Sequence, residues 1–364
     1  MAGSVQNGSV TKGILLCADE TEYLFFRKGA LYYSADGAVC KRVCKLPYAR
    51  LLRLVAKCRP MERLLRLEPR FAVKAGAHRF LISWRGGLYL LDTAEKAFRL
   101  LHAYRDGMHN PLSVSEIASV DGFADGFLFG DYWGNLRMEE VGIYACDGTK
   151  TQKVFAFPAG QVRHVHGVCP DRDNGRVLIC TGDSDAESGI WEARDGFRSV
   201  RPLLVGRQQY RTCAAYPVED GILYATDTPL CDNYIYHYSE SEKKLTALYA
   251  LNGPCIFSRR ITDEGGRTTY LFATSVEPDS RRTGWRYMLS SRMGRGVHSR
   301  HATVVCGSPE GGFRELLRQK KDFWLMVPFQ FGNFRLPETG KGTACAVGQS
   351  VSKLDGKTLW LNMS

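Results

Sequence analysis

A four-strand unit stands twice in succession between Gln161 and Asn233, and it limits what this chain can fold into more than any other feature. Each copy opens on polar residues: Gln161, Arg163, His164 and His166 in one, Gln208, Gln209 and Arg211 in the other. A strand-like run follows, then a turn (171–175; 219–221), then a second apolar run (Val177–Cys180; Ile222–Ala225). That run ends on an acidic loop, Gly182-Asp183-Ser184-Asp185 or Thr226-Asp227-Thr228-Pro229, and two further runs complete the unit. Four short strands repeated along a chain are the pattern of β-propeller blades.

The pattern extends to both ends. Phe71–Lys74, Arg79–Ser83, Gly87–Asp92 and Ala97–Ala103 read as one blade, and Cys255–Thr262 through Arg318 as another, split by an Arg-rich insertion at 277–300. Polar turns before a fourth strand recur six times, near Asp36, Thr93, Asp147, Asp195, Ser239 and Pro309. The expectation is therefore an all-β, six-bladed propeller spanning 1–364 as one domain, with seven blades as the alternative. Pairing of N- and C-terminal strands would close it and leave no free sheet edge. Segment 47–70 breaks the pattern, since Leu51, Leu52, Leu54, Val55, Leu64 and Leu65 have helical spacing, and it reads as a basic helical insertion.

The twelve cysteines sit mostly inside strand-like runs and form no CxxC pair, which predicts free thiols and a cytoplasmic protein. No secretory signal and no membrane-length apolar run is present. A net charge of +11 favours an anionic partner, and an acidic oligosaccharide or polysaccharide is expected. The basic stretches contain no nucleic-acid motif, so they read as solvated surface and nucleic acid is not expected. Nothing in the sequence sets the oligomeric state.

Three turns, Ser34-Ala35-Asp36-Gly37, Ala145-Cys146-Asp147-Gly148 and Ala193-Arg194-Asp195-Gly196, resemble worn copies of the Asp-box of sialidase-like, or BNR-repeat, propellers. They lack the final Trp of that box. The wider run from Arg163 to Asn233 is similar to an uncharacterised branch associated with exopolysaccharide synthesis. The resemblance implies a carbohydrate-active protein, with a glycoside hydrolase acting on a carboxylate-bearing glycan as the first expectation. A metal-assisted lyase and a non-catalytic binding propeller are the alternatives.

In a propeller, the loops between second and third strands share a face with the segments leading into each first strand. This sequence places its reactive residues in those segments. Candidate catalytic residues are His164, His166, Asp183, Asp227 and Tyr132 (the last because sialidases use a tyrosine nucleophile). Candidate substrate-binding residues are Arg163, Arg211, Gln208, Gln209, Asp131, Asn135, Asp185 and Asn233. Arg163, Arg211 and Arg259 recur every 48 residues, resembling the arginine triad with which sialidases hold a carboxylate. Gln161, His164 and His166 form Q-x-x-H-x-H, which looks like the metal-binding run of oligogalacturonate lyases. No cofactor is required by this reading, and a divalent metal is possible chemistry for two imidazoles on one side of a strand.

Overall fold

A computed structural model describes residues 8–37 and 39–363. Its described residues form seven four-stranded antiparallel sheets arranged as propeller blades. Blades one to six each run through four consecutive strands, such as His164–Asp171, Arg176–Gly182, Gly189–Arg194 and Ser199–Val205 in blade four. Blade seven takes Asn333–Arg335, Ala344–Gln349 and Lys357–Leu361 from the C-terminal end and its outermost strand, Val10–Lys12, from the N-terminal end.

Seven blades correct the expectation of six, and the closure explains the miscount. Blade seven receives its fourth strand from the other end of the chain, so no turn precedes it in sequence. Counting those turns therefore undercounts the blades by one. The strand Tyr23–Arg27 of blade one also escaped the sequence reading. It is joined to Ala30–Ser34 by a two-residue turn in which Lys28 and Gly29 have φ of 48° and 76°. Such turns suit the right-handed twist of a hairpin and leave little polar sequence to mark a boundary.

The core lies between neighbouring blades, where residues such as Phe26, Phe80, Phe129 and Phe272 are fully buried. The first strand of each blade lines the central channel. In blades one, four, five and six its register slips near the start. The extra residues Leu16, His166, Cys213, Ala214 and Ile256 all face the channel. A β-bulge re-aims a side chain in this way.

Segment 47–70 holds helices Arg50–Val55 and Arg59–Leu64 on the face that carries the blade-to-blade connections. Two of its arginines depart from a solvated surface. Arg63 is 1% exposed and pairs with Asp322 and Asp355 at 2.5 and 3.1 Å, while Arg59 bridges Glu62, Glu68 and Asp355. Burial alone would raise the Glu68 carboxyl, but the charges of Arg335 and Arg59 outweigh it and hold it down to about 2. The basic insertion thus locks blade seven to blades one and two.

Candidate functional site

Five of the residues singled out from sequence converge at the channel end that opens on the loop-bearing face: His164, His166, Asp183, Arg211 and Asp227. The Nε2 atoms of His164 and His166 lie 3.0 Å apart. Each is also close to Asp183 Oδ1, at 3.3 and 3.4 Å. Arg211 Nη2 meets the same oxygen at 2.9 Å and stands 4.0 Å from Asp227 Oδ2. Tyr132 packs over His164 with ring centroids 4.4 Å apart.

The other side of each imidazole fixes its tautomer. His164 Nδ1–H donates to the Trp133 carbonyl at 2.9 Å, and His166 Nδ1–H to the Thr212 carbonyl at 3.3 Å. A carbonyl only accepts, so both Nδ1 atoms carry hydrogen. Two Nε2 lone pairs and a carboxylate oxygen are then left facing one another. That arrangement requires a positive charge between them, either a proton or a metal ion. A backbone carbonyl behind each ligating histidine is also the usual support of a metal-bound imidazole.

The local sequence builds this geometry. Gly182 leaves room for the His166 ring: a Cβ there would stand 2.6 Å from its Cε1. Gly167 allows blade five to approach, since its Cβ would lie 2.1 Å from the Cys213 carbonyl oxygen. The loop carrying Asp183 is held by Glu187, whose Oε2 accepts the Asp183 amide at 3.0 Å, and by a capping box between Ser184 and Glu187. Arg211 Nη1 and Gln208 Nε2 both donate to the Asp183 carbonyl, at 3.0 and 2.9 Å.

Burial alone would raise the Asp183 carboxyl, but hydrogen bonds from His164 and His166 when a proton sits between the rings, together with the Arg211 charge, outweigh it and hold it well below the carboxylate range. Burial pushes His166 down, against the pull of Asp183. It pushes the Tyr132 hydroxyl and the Cys213 thiol up, each reinforced by neighbouring acids.

The remaining candidates stand outside this cluster, and some of them brace its loops. Gln161 is exposed. Asp131 accepts the Gly142 amide at 2.9 Å and faces Arg105. Asn135 clamps the Arg163 carbonyl at 2.7 Å, and Asn233 clamps the loop 228–231 and Gly296. Gln208 braces blade four to blade five through Ser188 and Thr228. Gln209 and Asp185 are exposed. Arg163 lies at the rim beside Glu187 at 3.5 Å, whereas Arg259 pairs with Glu338 at 2.9 Å deeper in the channel. The three arginines do not form one clamp.

Two further members are not among the candidates above. Cys213 donates to Asp227 Oδ2 at 3.3 Å and, with His166 and Asp227, forms a second group whose ligand atoms lie within 4.8 Å. Glu277, in the insertion of blade six, is buried, and its carboxyl is pushed up to about 8 by burial and by Asp227.

Fold and site together define a β-propeller with a two-histidine, acid-flanked cluster at the loop-face end of its channel. In fold the chain is similar to oligogalacturonate lyase from Vibrio parahaemolyticus, at 8% identity, 99% of this chain, 92% of that chain and a TM-score of 0.53. It is also similar to a chain of the mitotic checkpoint complex, at 8% identity, 100% and 94% coverage and a TM-score of 0.56. A third likeness is to the extracellular domain of a putative one component system from B. thetaiotaomicron, at 10% identity, 98% of this chain, 39% of that chain and a TM-score of 0.54. At such identities the shared property is the propeller fold. No protein-family model matches the chain, and no curated protein matches it in sequence. Among the described residues no helix is long and apolar enough to cross a membrane.

Proposed function

We propose that this propeller binds a divalent metal at His164, His166 and Asp183 and acts as a lyase on a carboxylate-bearing glycan. The observation that carries the reading is the pair of converging Nε2 lone pairs, each tautomer pinned by a backbone carbonyl, against an ionised aspartate. Two neutral imidazoles and a carboxylate suit a transition metal, and Asp227 and Cys213 stand within reach of His166 as further ligands. When bound, such an ion supplies Lewis-acid stabilisation of a substrate carboxylate.

The chain's own groups provide the rest. Arg163 stands at the rim with its side chain 30% exposed and a long 3.5 Å contact to Glu187, so its fork has donors left for an anionic sugar. Glu277, with its carboxyl near 8, is the group to accept the proton next to the uronate carboxylate. The bond to the leaving oxygen breaks as the ring double bond forms, and the carboxylic acid formed at Glu277 hands its proton to that oxygen, which restores the base, while burial keeps the Tyr132 hydroxyl protonated. The same burial disfavours Tyr132 as an ionised nucleophile, which weakens the sialidase-type route.

Glycoside hydrolysis stays the second reading because of one observation. A protonated Glu277 beside the carboxylate of Asp227 is the kind of acid–carboxylate pair that hydrolases use. Product analysis separates the two. Metal-loaded protein given oligogalacturonides and other uronate oligosaccharides should form ultraviolet-absorbing unsaturated ends, and chelation should stop it. Saturated reducing ends alone would establish hydrolysis, and no turnover across the panel would leave a binding protein.

A further inference from the structure

The central channel holds a cavity of about 740 Å³, which ends against His166 and Cys213 at one side and extends to Arg172, Pro217 and Glu338 at the other. Arg172 and Glu338 lie in connections between the first and second strands of their blades, so this cavity opens on the face opposite the loops. Its size is that of a pocket for a small organic ligand. Five arginines and three carboxylates line it.

The charges are not balanced along its length. Arg259 is paired with Glu338, near the turn face. At the deep end stand Arg70 and Arg335. Arg335 is committed to Glu68 and to the carbonyls of Pro69 and Arg70, leaving its buried Nε without a partner. The Arg70 guanidinium has no hydrogen bond or ion pair among the described residues. It stands over the Phe257 ring, whose centroid lies 4.8 Å from Cζ. Burial and the neighbouring Arg335 push it down to about 10. A cation withdrawn from water with no anion beside it destabilises a fold. Here Arg335 fixes the backbone of Arg70, so the fold holds this charge in place against the cavity.

We propose that the central channel is a second, separate binding site, in which Arg70 receives the oxyanion of a small carboxylate or phosphate compound entering from the turn face. The guanidinium fork matches either oxyanion in two parallel hydrogen bonds. The Phe257 ring beneath it offers an apolar wall, and the Tyr216 and Ser258 hydroxyls, 2.8 Å apart, add polar contacts further along. The site does not depend on the reaction assigned to the loop face, because His166 presents its Nε2 to Asp183 and its Nδ1 to Thr212.

The test uses calorimetry and thermal denaturation in chelator, so that no metal bridges the added anion. Inorganic phosphate is titrated in one arm and galacturonate in the other, against chloride at equal ionic strength. Binding of phosphate points to a phosphate ester as the ligand, and binding of galacturonate alone points to a uronate. In either case Arg70→Gln should weaken the anion by about tenfold or more, as expected for a lost charge-assisted bond, while Arg70→Lys retains part of it. Metal binding by Arg70→Gln should equal that of the wild type. Should Arg70→Gln fail to fold, Ser258→Glu places a carboxylate in the channel wall and should abolish the same anion binding. Absence of binding by the wild type in both arms, or unchanged binding in these variants, overturns the proposal.

Discussion

Replacing Asp183 by Asn removes one charge from the cluster while keeping its shape, and the structure sets what should follow. Asp183 Oδ1 is the point shared by His164, His166 and Arg211, at 3.3, 3.4 and 2.9 Å. An amide there loses the anionic ligand and turns a donor toward lone pairs or cations. Loss of a group that merely supports a metal ligand costs about 10–100-fold in affinity, so loss of a ligand itself should cost about 100-fold at least, or about 2.7 kcal/mol. Stability should change much less. Arg211 keeps the Asp183 carbonyl at 3.0 Å and Asp227 at 4.0 Å, and the Asp183 side chain is 36% exposed. Screening at that exposure reduces the loss of the ion pair to about 1 kcal/mol, a shift of a few degrees in Tm. Manganese and zinc titrations by calorimetry, run beside thermal melts, measure both quantities. Metal affinity within a few-fold of wild type in a folded Asp183→Asn protein would refute the assignment of this carboxylate.

Gly182→Ala should displace the His166 ring and weaken the same metal titration, leaving the secondary structure seen by circular dichroism intact, because the clash is with one side chain. Arg176 is buried among Asp171, Glu192 and Glu240, so Arg176→Met should destabilise the fold by about 3–5 kcal/mol in denaturant unfolding by stranding buried carboxylates. Burial alone would raise Glu192, but Arg194, Arg176 and Arg201 hold it at about 2. A depressed carboxyl stabilises above its usual value of 4.5 and loses that contribution as pH falls toward 2. Wild type should therefore exceed Glu192→Gln by up to about 3 kcal/mol at neutral pH, with the gap closing below pH 4.5. All twelve cysteines are free, so alkylation of denatured, unreduced protein should add twelve labels by mass, and ten or fewer would count against this.

The propeller was legible because each strand of blades two to six carries its own alternation and its own turn in order along the chain. Blade count was not, because the closing strand Val10–Lys12 is remote in sequence from the blade it completes. Convergence of His164, His166, Asp183, Arg211 and Asp227 followed from placing equivalent residues of blades four and five on one rim. The same periodicity misled for Arg259, which lies inside strand Cys255–Thr262 rather than just before it and so reaches Glu338. Bulges are invisible to periodicity, so the inward turn of Cys213 was not read. Glu277 depends on an insertion whose path only the fold fixes. Arg70 was hidden differently: it stands in a basic segment, and nothing local distinguishes it from Arg59 or Arg63, which are neutralised by carboxylates over 250 residues away.

The most direct measurement of the central claim is anomalous X-ray scattering from crystals soaked in manganese. The account predicts one strong peak bounded by His164 Nε2, His166 Nε2 and Asp183 Oδ1, lost in Asp183→Asn crystals. A fully occupied peak elsewhere with this cluster empty, or no peak at millimolar metal, would show that the histidine pair shares a proton rather than a metal ion and would contradict the account.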